Sequence, residues 1–114
     1  DSSVSANNDL FVAYCFHSVS DYCQVGSYTG SGNPGNAQDI GFQPGFIIFK
    51  NTDGQNSWWM FDSERGDNSR LFADLPNGES TSSSLTTNST GFSFNDGNSN
   101  LNQLNHVYIY LAIK

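Results

Sequence analysis

The chain has 114 residues and sets eleven Asp and Glu against four Lys and Arg, a net charge of −7 that leaves no basic stripe to meet phosphates and argues against nucleic acid and anionic membranes as partners. Hydrophobic residues make up 36 %, yet aromatic residues alone make up 14 %, with nine Phe, five Tyr and two Trp; a small core of few, large side chains suits sheets better than helices. The length allows one domain, and no apolar run approaches the ~20 residues that cross a bilayer.

In chain order, "DSSVSANND" is a polar lead-in, and residues 1–8 are predicted to be linker-like. No signal peptide is legible, and a chain that opens on Asp1 is expected to be a processed product or a piece of something longer. "LFVAYCFH" (10–17) predicts a first strand, apolar at even and odd positions and so buried on both faces. "CQVGSYTG" (23–30) predicts a second strand, and "SGNPGNAQD" (31–39) a loop by composition. "PGFIIFK" (44–50) predicts a third strand; the Asp-Gly signal in "TDGQNS" (52–57) and the strand "WWMFDSE" (58–64) complete a hairpin. "RLFADL" (70–75) reads as a short strand or one helical turn, "PNGESTSSS" (76–84) as a loop, and "SLTTNS" and "GFSFND" as two weaker strands around Gly91. "HVYIYLAIK" (106–114) is the last strand, with Val107, Ile109, Leu111 and Ile113 on one face.

No segment carries a helical period over ten residues, and turn signals recur at sandwich or barrel spacing. The expected fold is all-β: a single-domain antiparallel β-sandwich, jelly-roll-like, over residues 9–114, with little or no helix. Phe46, Ile48, Val107, Ile109 and Leu111 are the expected core. The two most apolar strands, the first and the last, must be central or covered by a neighbouring chain, because neither carries an internal Lys or Pro to guard an edge.

Cys15, His17, Asp21 and Cys23 fall within nine positions. Cys15 and Cys23 lack C-x-x-C spacing and further Cys to complete a zinc set, so no metal site is expected. A disulfide between them across the turn remains open beside free thiols. A Cys/His nucleophile has no legible base orienter or oxyanion donor. Asp62 and Glu64 share a strand face, which is ordinarily solvated, and a glycosidase would need carboxylates opposed across a cleft. "NDGNSN" (95–100) hints at a calcium loop but lacks further acidic ligands, and "NST" (88–90) is a glycosylation sequon. No catalytic residue, metal or cofactor is expected. Trp58 and Trp59 must point to opposite faces of a strand, one into the core and one outward. The outward Trp, with Tyr108 and Tyr110, is a candidate for subunit or glycan contact, against the alternative that the rings line the core.

"FVAYCFHSVSDYCQVGSYTGSG", "IGFQPGFIIFKNT", "WWMFDSERG", "TNSTGFSF" and "HVYIYLAIK" occur in one order. The set resembles a domain of unknown function that recurs in structural proteins of marine tailed phages, there a module of tail fibres or other virion appendages. The resemblance covers residues 9–114, and its most specific part is the "YCFHSV…GSYTGSG" block joined to "GF-P-F---K". It departs from the pattern at Cys23 and in a short segment between Asp62 and Leu75. It implies a non-enzymatic virion module that assembles with other virion chains, as a homo-oligomer, and contributes to host attachment. The particle would be extracellular but assembled in a reducing host cytoplasm, which favours free thiols. A carbohydrate-binding module recognising host-surface glycans is the alternative; a small hydrolase is the weakest reading, for want of an acid/base or nucleophile constellation.

Overall fold

The computed structural model describes residues 7–81, 83–97 and 100–114. Most of the expected lead-in, residues 1–6, and positions 98 and 99 of the 95–100 turn lie outside the described residues.

"FIIFKN" forms β3 (Phe46–Asn51) with strict alternation: Ile47, Phe49 and Asn51 are buried, and Phe46, Ile48 and Lys50 are half-buried. β3 pairs antiparallel with β4 (Trp59–Asp62) across the Asp-Gly loop. On its other side it pairs with β9 (Val107–Ile113), which pairs in turn with β1 (Cys23–Thr29) from Cys23↔Ile113 to Thr29↔Val107. β5 (Ser69–Phe72) and the two-residue β6 (Ser80–Thr81) extend the sheet, in the order β1-β9-β3-β4-β5-β6. β2 (Gly35–Asp39), β8 (Gly91–Phe94) and β7 (Leu85–Asn88) make a three-stranded second sheet, ordered β2-β8-β7. Every pairing is antiparallel and no helix occurs among the described residues. The expected all-β sandwich is the fold.

The core is an aromatic cluster between the two sheets. Tyr28, Phe49, Trp59, Phe61, Tyr108 and Tyr110 from the large sheet meet Leu85, Phe92 and Phe94 from the small one. Tyr28 stacks on Tyr108 with ring centres 4.9 Å apart and planes 5° apart, while Phe49 meets Phe92 edge to face at 5.3 Å. Such pairs contribute ~0.5–1.5 kcal/mol each beyond area burial. Gly26 sits opposite Tyr110, and a Cβ there would lie 2.6 Å from the phenol oxygen, so the missing side chain is what admits the ring. Beyond the aromatics, Asn102 is fully buried and ties the loops together: its Oδ1 accepts from Ser31 N–H at 2.9 Å and Asn36 Nδ2 at 2.8 Å, and its Nδ2 donates to Asn33 O at 2.7 Å and Asp96 O at 3.0 Å.

Several expectations need correction. Residues 10–17 form no strand; the segment before β1 is exposed and is tied to the fold only from Ser18 onward, through the bridge Val19↔Cys23 and bonds at Ser18 and Tyr22. Its apolar pattern is strand-like, but an edge strand beside β1 would still leave one of its two apolar faces in water. Residues 35–39 are a strand, not loop: "GNAQD" has poor β-propensity and joins the small sheet through its backbone, with a register shift between Gly35 and Gln38 at the left-handed Gly35 and Asn36. Residues 69–72 are strand rather than a helical turn, and the 76–84 loop contains β6. The largest correction is the face of the big sheet. Tyr108, Tyr110 and Ala112 are buried, as are Ile47 and Phe49; the expected core residues Val107 and Ile109 are exposed, and Phe46, Ile48 and Leu111 are only half-buried. Gly26 leaves the room that admits the Tyr110 ring on that side, and Tyr108 stacks there on Tyr28.

At one end of the sheet the chain before β1 and the end of β9 meet. Lys114 N–H donates to Tyr22 O at 2.9 Å, and Lys114 Nζ pairs with the carboxylate of Asp21.

Candidate interaction surface

The outward face of the large sheet carries an apolar band across five strands, with Ser27, Thr29, Lys50 and Asp62 on the same face beside it. Val25, Leu111, Ile48, Met60 and Leu71 form one continuous cross-strand row, by the registers Val25↔Leu111, Ile48↔Leu111, Ile48↔Met60 and Met60↔Leu71. Beside it, Ile113 pairs with Phe46 and Ile109 with Lys50. The ammonium of Lys50 is drawn to Asn56 O at the rim. A two-layer sandwich ordinarily turns polar residues outward; here Val107, Ile109 and Trp58 are each about two-fifths exposed.

The segment before β1 runs over this face. Tyr14 and Phe16 form one wall of a groove of about 540 Å³ whose floor is Val25, Ile48, Ile109 and Leu111 and whose far rim includes Trp58. The segment does not bury itself: Leu10 is 100 % exposed, Val12 80 % and Tyr14 84 %. A turn at Val19–Cys23 anchors it, with Ser18 Oγ accepting from Val25 N–H at 3.0 Å and Val19 N–H donating to Cys23 O at 2.9 Å.

The family described as "Domain of unknown function (DUF7483)" matches residues 1–114. The chain belongs to the DUF7483 family. No curated protein and no solved structure matches the DUF7483 domain described here.

The DUF7483 domain separates the four aromatic contact candidates. Trp59, the first residue of β4, enters the core at 4 % exposure, and Trp58, just before the strand, faces out at 37 %. Tyr108 and Tyr110 line the core, which corrects their candidacy for outside contact; their phenols, and that of Tyr28, are pushed above the usual tyrosine range chiefly by burial. The Tyr28 hydroxyl donates to Leu101 O at 2.7 Å, and the Tyr108 hydroxyl accepts from Gln103 N–H at 3.1 Å. Arg70 lies with its guanidinium 4.0 Å above the Trp59 ring, and burial lowers its proton affinity.

Cys15 and Cys23 of the DUF7483 domain are free thiols; Cys15 is exposed, and Cys23 Sγ donates to His17 O at 3.3 Å. His17 and Asp21 do not join them: the ring of His17 meets Ser18 O, and Asp21 pairs with Lys114. No group of three His, Cys, Asp or Glu converges among the described residues.

Four carboxylates of the DUF7483 domain, those of Asp53, Asp62, Asp67 and Asp74, hold backbone N–H groups. Asp62 accepts from Arg65 N–H at 2.9 Å and pairs with its guanidinium, which also reaches Glu79; these partners raise the proton affinity of the guanidinium, Glu79 first. Asp67 holds Thr87 N–H at 2.7 Å, Asp53 holds Val107 N–H at 2.6 Å and Asp74 holds Trp58 N–H at 3.0 Å. Asn88, the sequon residue, closes the β7–β8 turn by accepting from Thr90 N–H and Gly91 N–H at 2.9 Å each. Asn95 donates to Ser83 O and Leu85 O.

Sequence reasoning missed the surface itself. The sequence pattern assigns Val25 no face and puts Ile48, Ile109 and Leu111 in the core, whereas all four line the groove. The available signal was the doubly apolar character of β9: a strand apolar on both faces in a two-layer fold has one face to spare.

Proposed function

We propose that this DUF7483 domain is a non-enzymatic assembly module of a larger virion structural protein, a tail fibre, appendage or capsid decoration, that packs the outer face of its large sheet against a neighbouring chain. The observation that carries this reading is the five-residue apolar row on a face that a free-standing sandwich would make polar. The virion setting rests on the resemblance to phage structural modules, and two free thiols fit assembly in a reducing cytoplasm. The backbone N–H groups held by Asp53, Asp62, Asp67 and Asp74 support a structural rather than hydrolytic role for these four carboxylates. Trp58 at the groove rim is the observation that favours glycan binding instead, by stacking a sugar ring on its exposed face. The groove floor, however, offers aliphatic side chains where sugar hydroxyls need hydrogen-bond partners.

Light scattering at tens of micromolar tests the proposal. The domain is expected to self-associate, or to bind its neighbouring virion chain, and Leu111→Asp is expected to abolish either while leaving the far-UV spectrum unchanged. A monomer whose Trp58 fluorescence saturates with a host-surface glycan would favour the second reading.

A further inference from the structure

We propose that residues 10–17 are an exchange arm: in solution the arm of one copy fills the outer-face groove of a second copy, and the second copy returns its own. The inference rests on reading the outer face as an assembly surface and goes on to name its occupant.

Groove and filler are both on this chain. The groove floor is Val25, Ile48, Ile109 and Leu111. The arm, "LFVAYCFH", has the extended, doubly apolar pattern that would fill it, yet within its own chain it leaves Leu10, Val12 and Tyr14 almost wholly in water. A surface patch and a complementary segment on the same polypeptide are the requirement for reciprocal exchange around a two-fold axis, and exchanging an identical element is a low-cost route to a dimer. The turn at Val19–Cys23, closed by its own backbone bonds, is the hinge.

Charge selects the same patch. Each copy carries −7, so two copies repel almost everywhere. Residues 10–17 hold no Asp, Glu, Lys or Arg, and none lines the groove. Area is sufficient as well. Aromatic side chains bury ~150–250 Å² each, so Phe11, Tyr14 and Phe16 with Leu10 and Val12 hold roughly 500 Å² of removable surface. Two arms and the two grooves they fill would remove on the order of 2,000 Å² from water, above the ~1,000 Å² that marks a specific interface.

The test uses single thiol probes on separate copies of the full chain, with Cys15→Ser and Cys23→Ser in both. One copy carries Tyr14→Cys on the arm and the other Ile109→Cys in the groove. They are mixed, oxidised with glutathione disulfide and run on a non-reducing gel beside light scattering of the same sample. A disulfide-linked dimer of one copy of each kind is the expected result, well above the linked dimer of either copy alone. The pair Phe16→Cys and Val25→Cys repeats the test should the first pair fold poorly. Leu10→Asp with Val12→Asp, at positions that touch little in the monomer, is expected to reduce the dimer to single chains. Association without mixed cross-links, or surviving the two arm substitutions, overturns exchange and leaves assembly through the outer face standing. A single chain at all concentrations, with no partner found for the outer face, overturns both.

Discussion

Tyr28, Tyr108 and Tyr110 give this domain a marked alkaline limit. Burial raises all three phenols above the ordinary value of about 10. Above that pH the unfolded chain releases these protons while the folded one keeps them, so the stability they contribute is complete below pH ~10 and falls as pH rises beyond it, at up to ~1.4 kcal/mol per unit for each ring. Urea midpoints taken from pH ~9 to ~11 should fall steeply over that range; phenolate absorbance from all five tyrosines in a still-folded protein would contradict this. Asn102→Ala empties a fully buried site and leaves the half-buried Ser31 N–H and Asp96 O without their Asn102 partner, and should cost about 1–3 kcal/mol in chemical denaturation. Gly26→Ala drives a methyl group into the Tyr110 phenol and should cost about 1–3 kcal/mol by the same measurement. An unchanged midpoint would mean that the ring has room to move aside.

At the scale of the element, the decisive quantity is which face of a strand turns inward. Phe49→Ala should cost about 3–5 kcal/mol, whereas Ile109→Ser should cost no more than about 0.5. Thermal unfolding of the two variants checks this, and the reverse order would mean that the large sheet is paired one residue out of register. The long strands of the large sheet are legible in the sequence, whereas β2 and β6 are hidden in segments that read as loops. "CQVGSYT", "FIIFKN", "WMFD" and "VYIYLAI" stand where apolar alternation between Gly, Asn and Asp turns places them. Their inward faces were not legible, because "VYIYLAI" is apolar at every position and alternation of kind is then silent. What selects the face is a cross-strand relation, Gly26 opposite Tyr110, that no window of one strand contains. The same limit hid the interaction surface: its row draws a single residue from each of five strands. "LFVAYCF" failed differently. Its pattern names a segment that wants apolar cover on both sides without saying that its own chain supplies little of it.

At the scale of the whole molecule, charge and apolar surface oppose each other. Seven net negative charges on each copy resist association, and salt screens that repulsion over a Debye length of ~10 Å at 0.1 M. The associated fraction at fixed protein concentration should therefore rise between low salt and about 0.5 M salt, as followed by sedimentation velocity. A fraction that falls with salt would point instead to contacts made by charged side chains.

The meeting of Tyr22 with Lys114 has a mechanical consequence. Tension applied through these two positions pulls β1 and β9 apart from the Cys23↔Ile113 end, so their hydrogen bonds bear load one after another rather than all together. Such a domain opens like a zipper at low force, and the next strand to lose its neighbour is β3, at the centre of the sheet. Loaded at that corner, it would yield early and absorb length. Stiffness would then depend on what covers the outer face, since a partner lying across β1, β9 and β3 clamps the strands that the zipper would otherwise separate.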